Sequence, residues 1–341
     1  MGEAVDRVDT HGAAQAIRAV AGVAYAASAQ ELTEGLTRLA PALRRVAIGN
    51  GTKLVQLIAG LIEVGADPLA VLDLLVERIT EGLEQAARFP ALAAMMGGDL
   101  TRPTRPAEAN VLLRRIAAAG GASGIDGYES GLILQAWFTI NDWIPGLLLP
   151  LQHKLARQAL PGRRRLTDAV DAMIEHAEDA VWLQGLLQVL DDERLIVVHR
   201  ATGTVYQLTI SGVGDNFQLH ILLAATLIGD PDAGLMPGTR PDPTWVAAAT
   251  TGQMNPSTDI HGQFNLVAAT GEWIWNEGRP AAIPAVDGHR VIVLDPPPYQ
   301  RTWNLGRAYP LMTPEIAFDR ILPPAQATAW TKKIQPANPP T

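Results

Sequence analysis

Tryptophan, proline and glycine are placed unevenly along this chain. Five of the eight Trp (Trp245, Trp273, Trp275, Trp303 and Trp330) fall in the last hundred residues, among dense Gly and Pro. The first 190 residues are rich in Leu and Ala at helical spacing. The contrast predicts an α+β protein. An all-helical region over 1–191, either an irregular bundle or solenoid-like helix pairs, precedes a smaller α+β region over 192–341. That second region has a mainly antiparallel sheet and a Pro-rich tail. The chemically varied side chains gather there, so a site is expected there as well.

In the first region the clearest helix runs from Asp67 past Leu83. Asp67 caps it, Pro68 takes its first position, and Leu72, Leu75, Val76, Ile79 and Leu83 form one apolar stripe. Other helices are expected over 12–29, 30–48, 53–64, 108–118, 129–142, 147–159 and 166–191, with a polar, Pro-rich connection at 97–107. A faint repeat pairs Thr33-Glu34-Gly35-Leu36 with Thr80-Glu81-Gly82-Leu83, the spacing of stacked helix pairs.

The period changes after residue 191. Leu195–His199 and Thr204–Ser211 read as a hairpin, and a helix over 216–228 follows with Asp215 as its cap. Further strands are expected at 263–269, 272–275 and 289–295, the last after an Asp287-Gly288 turn. Prolines from Pro296 onward predict a tail that wraps the surface.

Composition narrows the function classes. The chain has 48% hydrophobic and 18% charged residues and a net charge of −8. That balance argues against a nucleic-acid partner, and Arg163-Arg164-Arg165 is too short to reverse it. The longest apolar stretches, Leu132–Ile140 and Trp143–Leu151, fall short of the roughly 20 residues of a bilayer span. No membrane partner is expected, and the location is read as cytoplasmic. Arg outnumbers Lys 23 to 4, the bias of a GC-rich bacterial gene. The absence of cysteine removes disulfides, thiolate metal sites and cysteine nucleophiles.

Reaction-specific motifs fail on inspection. Gly49-Asn50-Gly51-Thr52-Lys53 has the wrong spacing and order for a phosphate loop. Gly212-Val213-Gly214 precedes a helix but lacks the third glycine of a dinucleotide loop, and Asp215 opposes a pyrophosphate. No histidine pair has H-x-x-x-H spacing, and no G-x-S-x-G elbow occurs. His199, His220 and His261, with Asp215 or Asp259, could reach one metal only through the fold, so no metal site is assigned and no cofactor is named.

The richest segment is Gly262–Arg307. On an extended backbone Trp273 and Trp275 share a face, with Asn276-Glu277-Gly278 turning next to them. Aromatic walls beside a few charges suit a polar organic ligand. Trp273, Trp275, Asn276, Arg279 and Arg301 are therefore the candidate ligand-binding residues. Glu277, Glu272 and His261 are the candidates for acid–base work, which would require a carboxyl partly buried beside the tryptophans.

Two function classes follow. One is a binding or scaffolding protein whose C-terminal region recognises a peptide, a protein partner or a small polar ligand. The other is an enzyme independent of metal and thiol, acting on a small polar or peptide substrate in a cleft between the two regions.

Overall fold

The computed structural model describes residues 10–97, 106–121, 124–252, 259–304 and 306–339. Most of the connection read at 97–107 lies outside them. The chain divides into two compact units, Met1–Leu187 and Gln188–Thr341. The first is helical and the second mixed, so the fold is α+β.

The first unit contains α1 (Thr10–Ala24), α2 (Ala29–Arg45), α3 (Thr52–Glu63), α4 (Leu72–Ala86), α5 (Phe89–Met95) and α6 (Pro106–Gly121). It continues with α7 (Gly127–Trp143), α8 (Pro145–Leu148), α9 (Lys154–Gln158), α10 (Arg163–Asp171) and α11 (Ala180–Leu187). The stripe Leu72, Leu75, Val76, Ile79 and Leu83 is buried throughout. The start of this helix differs from the reading above. Asp67 accepts the Leu69 N–H at 3.0 Å and closes a short 3-10 turn, Pro68–Ala70, and α4 begins only at Leu72. The helix expected over 147–159 is broken at Pro150, which cannot donate a backbone hydrogen bond. The one expected over 166–191 is split into α10 and α11. Between them the Asp179 N–H donates to Asn141 Oδ1 at 3.0 Å, a tertiary cap invisible to local periodicity.

Helix α4 packs against α7, α10 and α2. Its main partner, α7, is distant in sequence, and the two helices that carry the faint repeat, α2 and α4, also touch. Gly127–Gln152, which spans α7 to the turn at Pro150, is long and apolar enough by composition to cross a membrane, and half of its most apolar window is buried inside the unit.

Trp143, at the end of α7, anchors this bundle. It is fully buried, and its indole Nε1 donates to the Ile48 carbonyl at 2.8 Å. The Arg78 guanidinium lies 5.9 Å from the ring centroid. The ring lies so close over Gly51 that a Cβ there would come within 2.1 Å of Trp143 Cζ2. Gly51 has φ −84°, which any residue can adopt, so its smallness serves packing and not the backbone. Gly51→Ala is therefore expected to cost about 1–3 kcal/mol by overpacking, read as a lower urea midpoint with an unchanged slope.

The second unit is built on a sheet of order β4-β6-β1-β2-β8, with β5 paired to β6. The strands are β1 (Glu193–His199), β2 (Thr204–Ser211), β4 (Asn265–Ala268), β5 (Ala285–Val286), β6 (His289–Asp295) and β8 (Glu315–Ile321). All pairings are antiparallel except β1 with β6. Both faces are covered. Helix α12 (Asn216–Leu227) lies on one, with Leu195, Val197, Leu208, Leu219, Leu223 and Leu294 in that core. The other face, including Ile196, Val198, Val291 and Val293, is capped by Ala327 and Trp330 of α14 (Pro324–Thr331). Burial on both faces explains why Leu195–Val198 is a continuous apolar run and not an alternating one.

Asp287 and Gly288 both have positive φ, 49° and 75°, and close the two-residue hairpin between β5 and β6. Two expectations need correction. Residues 272–275 do not form a strand. They make an isolated bridge, Trp273 to Val267, with the Ile274 N–H donating to the Leu266 carbonyl. The segment read as a surface-wrapping tail contains β8 and α14. Its prolines bracket these elements without interrupting them: Pro314 precedes β8, and Pro323 and Pro324 sit at the start of α14. A small ribbon, β3 (Asp259–His261) with β7 (Thr302–Asn304), and α13 (Pro243–Ala249) complete the unit.

Candidate functional site

The site is built around the first half of α12. Asp215 caps the helix, accepting the Gln218 N–H at 2.8 Å. Gln218 reaches back past the cap, accepting the Gly214 N–H at 2.9 Å, and donates Nε2 to the Ala249 carbonyl. Burial pushes the Asp215 carboxyl up to about 6, against the amide hydrogen bonds from Gln218 and Phe217. Tyr309 packs on Gly214, and burial raises its hydroxyl to about 12, against the pull of Arg279.

One turn along, His220 is buried with its ring stacked on Phe264 at 4.6 Å and edge-on to Trp303 at 5.0 Å. Its Nε2 accepts the Gln263 N–H at 2.9 Å, so the neutral ring carries its proton on Nδ1. Burial, with the nearby Arg301 charge adding to it, holds the imidazole down to about 3. It remains neutral at physiological pH and serves as an acceptor and a packing surface.

The β3–β7 ribbon brings Arg301 to this neighbourhood. The Arg301 Cζ lies 4.9 Å from the centroids of both Trp273 and Tyr299 and 5.6 Å from that of Trp275. Trp273 and Trp275 are 5.7 Å apart, on one side as expected, and Trp273 and Tyr299 are 6.4 Å apart. Three aromatic rings thus surround one guanidinium, whose positive charge is attracted to their negative faces. Gly262 makes room at the base: a Cβ there would lie 3.2 Å from the Trp303 ring. The Arg301 Nε and Nη2 are both buried and neither has a hydrogen-bond partner, and the same holds for Trp303 Nε1. Asn216 Oδ1 on α12 and Asn265 Oδ1 on β4 are also buried without a partner. Buried polar atoms are normally paired, so a group of unpaired ones marks a place that bonds something else or stores strain.

Of the residues singled out from sequence, the structure gathers Trp273, Trp275 and Arg301. Tyr299 and Trp303, members of the same aromatic segment, complete the cluster. Asn276 is buried beside Trp275 in the chain, and the neighbouring Asn216 Nδ2 donates to the Trp275 carbonyl at 2.8 Å. Arg279 donates to Gln188 Oε1 at 3.0 Å.

Glu272, Glu277 and His261 are exposed, and no hydrogen bond or ion pair joins any two of them. His261 stands edge-on to Trp245 at 5.8 Å. Among these carboxyls Asp215 is half-buried, whereas Glu272 and Glu277 lie at the surface. Among the described residues no group of three or more His, Asp or Glu is placed to hold a metal ion, so His199, His220 and His261 do not meet on one.

A separate cavity of about 130 Å³ opens at the carboxyl ends of the parallel pair β1 and β6, lined by His199, Gln263, Phe264 and Asp295 among others. The Asp295 carboxylate is held by Arg200 Nε at 2.6 Å, and burial lowers the His199 pKa. The cavity has room for a few water molecules.

Comparison of the chain with protein-family models, with curated proteins and with solved structures gives no match.

Proposed function

We propose that the second unit is a binding module for a small ligand carrying an anionic group. The ligand is held at the aromatic cluster of Trp273, Trp275 and Tyr299, with Arg301 as its counter-ion. One observation carries this reading: the Arg301 guanidinium is enclosed by three rings, and two of its nitrogens are buried with no acceptor. A half-buried cation without an anion is costly, and aromatic faces offset only part of that cost. Trp275 and Tyr299 are each 49% exposed, so they offer apolar surface to an incoming molecule. With a net charge of −8 on the chain, a small molecule fits this cationic spot better than a nucleic acid.

The enzymatic reading receives less support. Asp215 is the carboxyl shifted toward neutrality, yet its oxygens are engaged by the amides of α12 and so are committed to the helix start. Glu272 and Glu277 are exposed at the surface, and no hydrogen bond or ion pair joins them to each other or to His261.

The test is thermal melting of the full chain against a panel of small anions, neutral amides and cations. An anion that binds only the folded form at a hundred times its Kd adds about 2.7 kcal/mol of stability. The expected result is a rise in Tm with anions alone. Trp275→Ala, at a half-exposed ring, should weaken binding roughly fivefold or more while keeping the fold. A rise with cations or neutral amides only, or no rise with any of the panel, would contradict the proposal.

A further inference from the structure

The unpaired atoms of Arg301 are not a random pair. Nε and Nη2 form one side of the guanidinium, and their N–H bonds run parallel, spaced to match the two oxygens of a carboxylate. The same chain uses this side elsewhere. Arg165 donates Nε to Glu84 Oε1 at 2.7 Å and Nη2 to Glu84 Oε2 at 2.6 Å. Arg301 presents the equivalent side with both nitrogens unpaired. The centroids of three aromatic rings lie within 5.6 Å of its Cζ, and none of these rings supplies an acceptor to the two nitrogens.

Resting on the reading of this cluster as an anion site, we infer that the group Arg301 recognises is a carboxylate, bound side-on by Nε and Nη2. The part of the ligand next to that carboxylate is planar and apolar and lies against Trp275 and Tyr299. A planar acceptor suits the plane of the guanidinium, and a flat apolar neighbour suits two half-exposed rings. Both nitrogens are shielded from water. Entry therefore requires the side chains that cover these two nitrogens to shift. The carboxylate can belong to a free aromatic acid or to the C-terminus of a peptide ending in an aromatic residue, since both present the same two oxygens beside a flat ring.

The experiment is isothermal titration of the full chain with benzoate, benzamide, phenyl phosphate, glycyl-phenylalanine and glycyl-phenylalanine amide. The inference predicts that benzoate or glycyl-phenylalanine binds while its amide does not. The tighter of the two acids identifies the source of the carboxylate. Arg301→Lys keeps the charge but loses the paired donors, and should weaken binding about tenfold or more. Should that variant fail to fold, the acid-against-amide comparison on the wild-type chain still decides. Binding of phenyl phosphate alone would overturn the carboxylate assignment and leave the anion site standing. Binding of the amides as tightly as the acids, or of none of the five at millimolar concentration, would overturn the anion site as well.

Discussion

Trp143→Ala is expected to lower the stability of the helical unit by about 3–5 kcal/mol, the usual cost of emptying a large aromatic site in a core. Three contacts are lost together. The ring leaves a void over Gly51, the Arg78 guanidinium loses the face it lies over, and the Ile48 carbonyl loses its 2.8 Å donor. Thr139 Oγ1, at 3.4 Å, is a poor substitute for that donor. Trp143→Phe separates the terms, because it keeps most of the ring and removes the hydrogen bond, and should cost about 1 kcal/mol beyond the smaller ring volume. Urea unfolding followed by helical circular dichroism measures both. Gly51→Ala should harm the wild-type chain but not Trp143→Ala, where the added methyl enters the void. This loss of the cost in a double-mutant cycle is the signature of direct contact. Additive costs would mean that the ring does not sit where it is placed.

Asp215→Asn is expected to stabilise the chain at neutral pH. The folded carboxyl is raised from 3.8 to about 6 by burial, so the folded state holds its proton more tightly than the unfolded chain does. The stability associated with that proton is fully present below pH 4 and is lost as the pH rises through 6. At pH 7–8 the buried charge therefore costs at most about 3 kcal/mol. Asn caps a helix as well as Asp does, and it removes the charge. Part of the gain is offset by the lost attraction between a carboxylate and the helix N-terminus, about 0.3–1 kcal/mol.

His220 titrates across an overlapping window in the opposite sense. Its pKa is depressed to about 3, so its contribution is present above pH 6.5 and falls as the pH drops toward 3. That effect is common to both proteins and cancels in their difference. The stability difference between Asp215→Asn and the wild type, followed from pH 3.5 to 8, should start near zero and rise through pH 4–6. A variant less stable than the wild type at pH 8 would show that the carboxylate is net favourable at its helix end.

What was legible in the sequence was local. The Leu72–Leu83 stripe, the hairpin of β1 and β2 and the Asp287-Gly288 turn each depend on residues within a few positions of one another. Elements set by distant partners were read less well. The split between α10 and α11 depends on Asn141, on another helix. Strand β8 lies among prolines and gains its identity from pairing with β2 more than a hundred residues earlier. The candidate site divides the same way. Trp273 and Trp275 could be placed on one side from their i, i+2 spacing, although they stand in a bridged turn and not in a strand. Arg301 reaches them only because β7 pairs with β3 some forty residues back, a contact that no spacing rule encodes. Glu272 and Glu277 lie exposed in that segment, while the carboxyl that burial raises is Asp215, which its local spacing marks only as a helix cap.

The most direct test of the Arg301 site is the nitrogen–proton spectrum of arginine side chains in the full chain, with Arg301→Lys used to assign the Arg301 Nε–H signal. The account predicts that benzoate or glycyl-phenylalanine moves this signal strongly downfield, as a charge-assisted hydrogen bond does, and leaves the signals of Arg165 and Arg200 in place. Binding detected by titration with an unmoved Arg301 Nε–H would contradict it, because the ligand would then be held elsewhere.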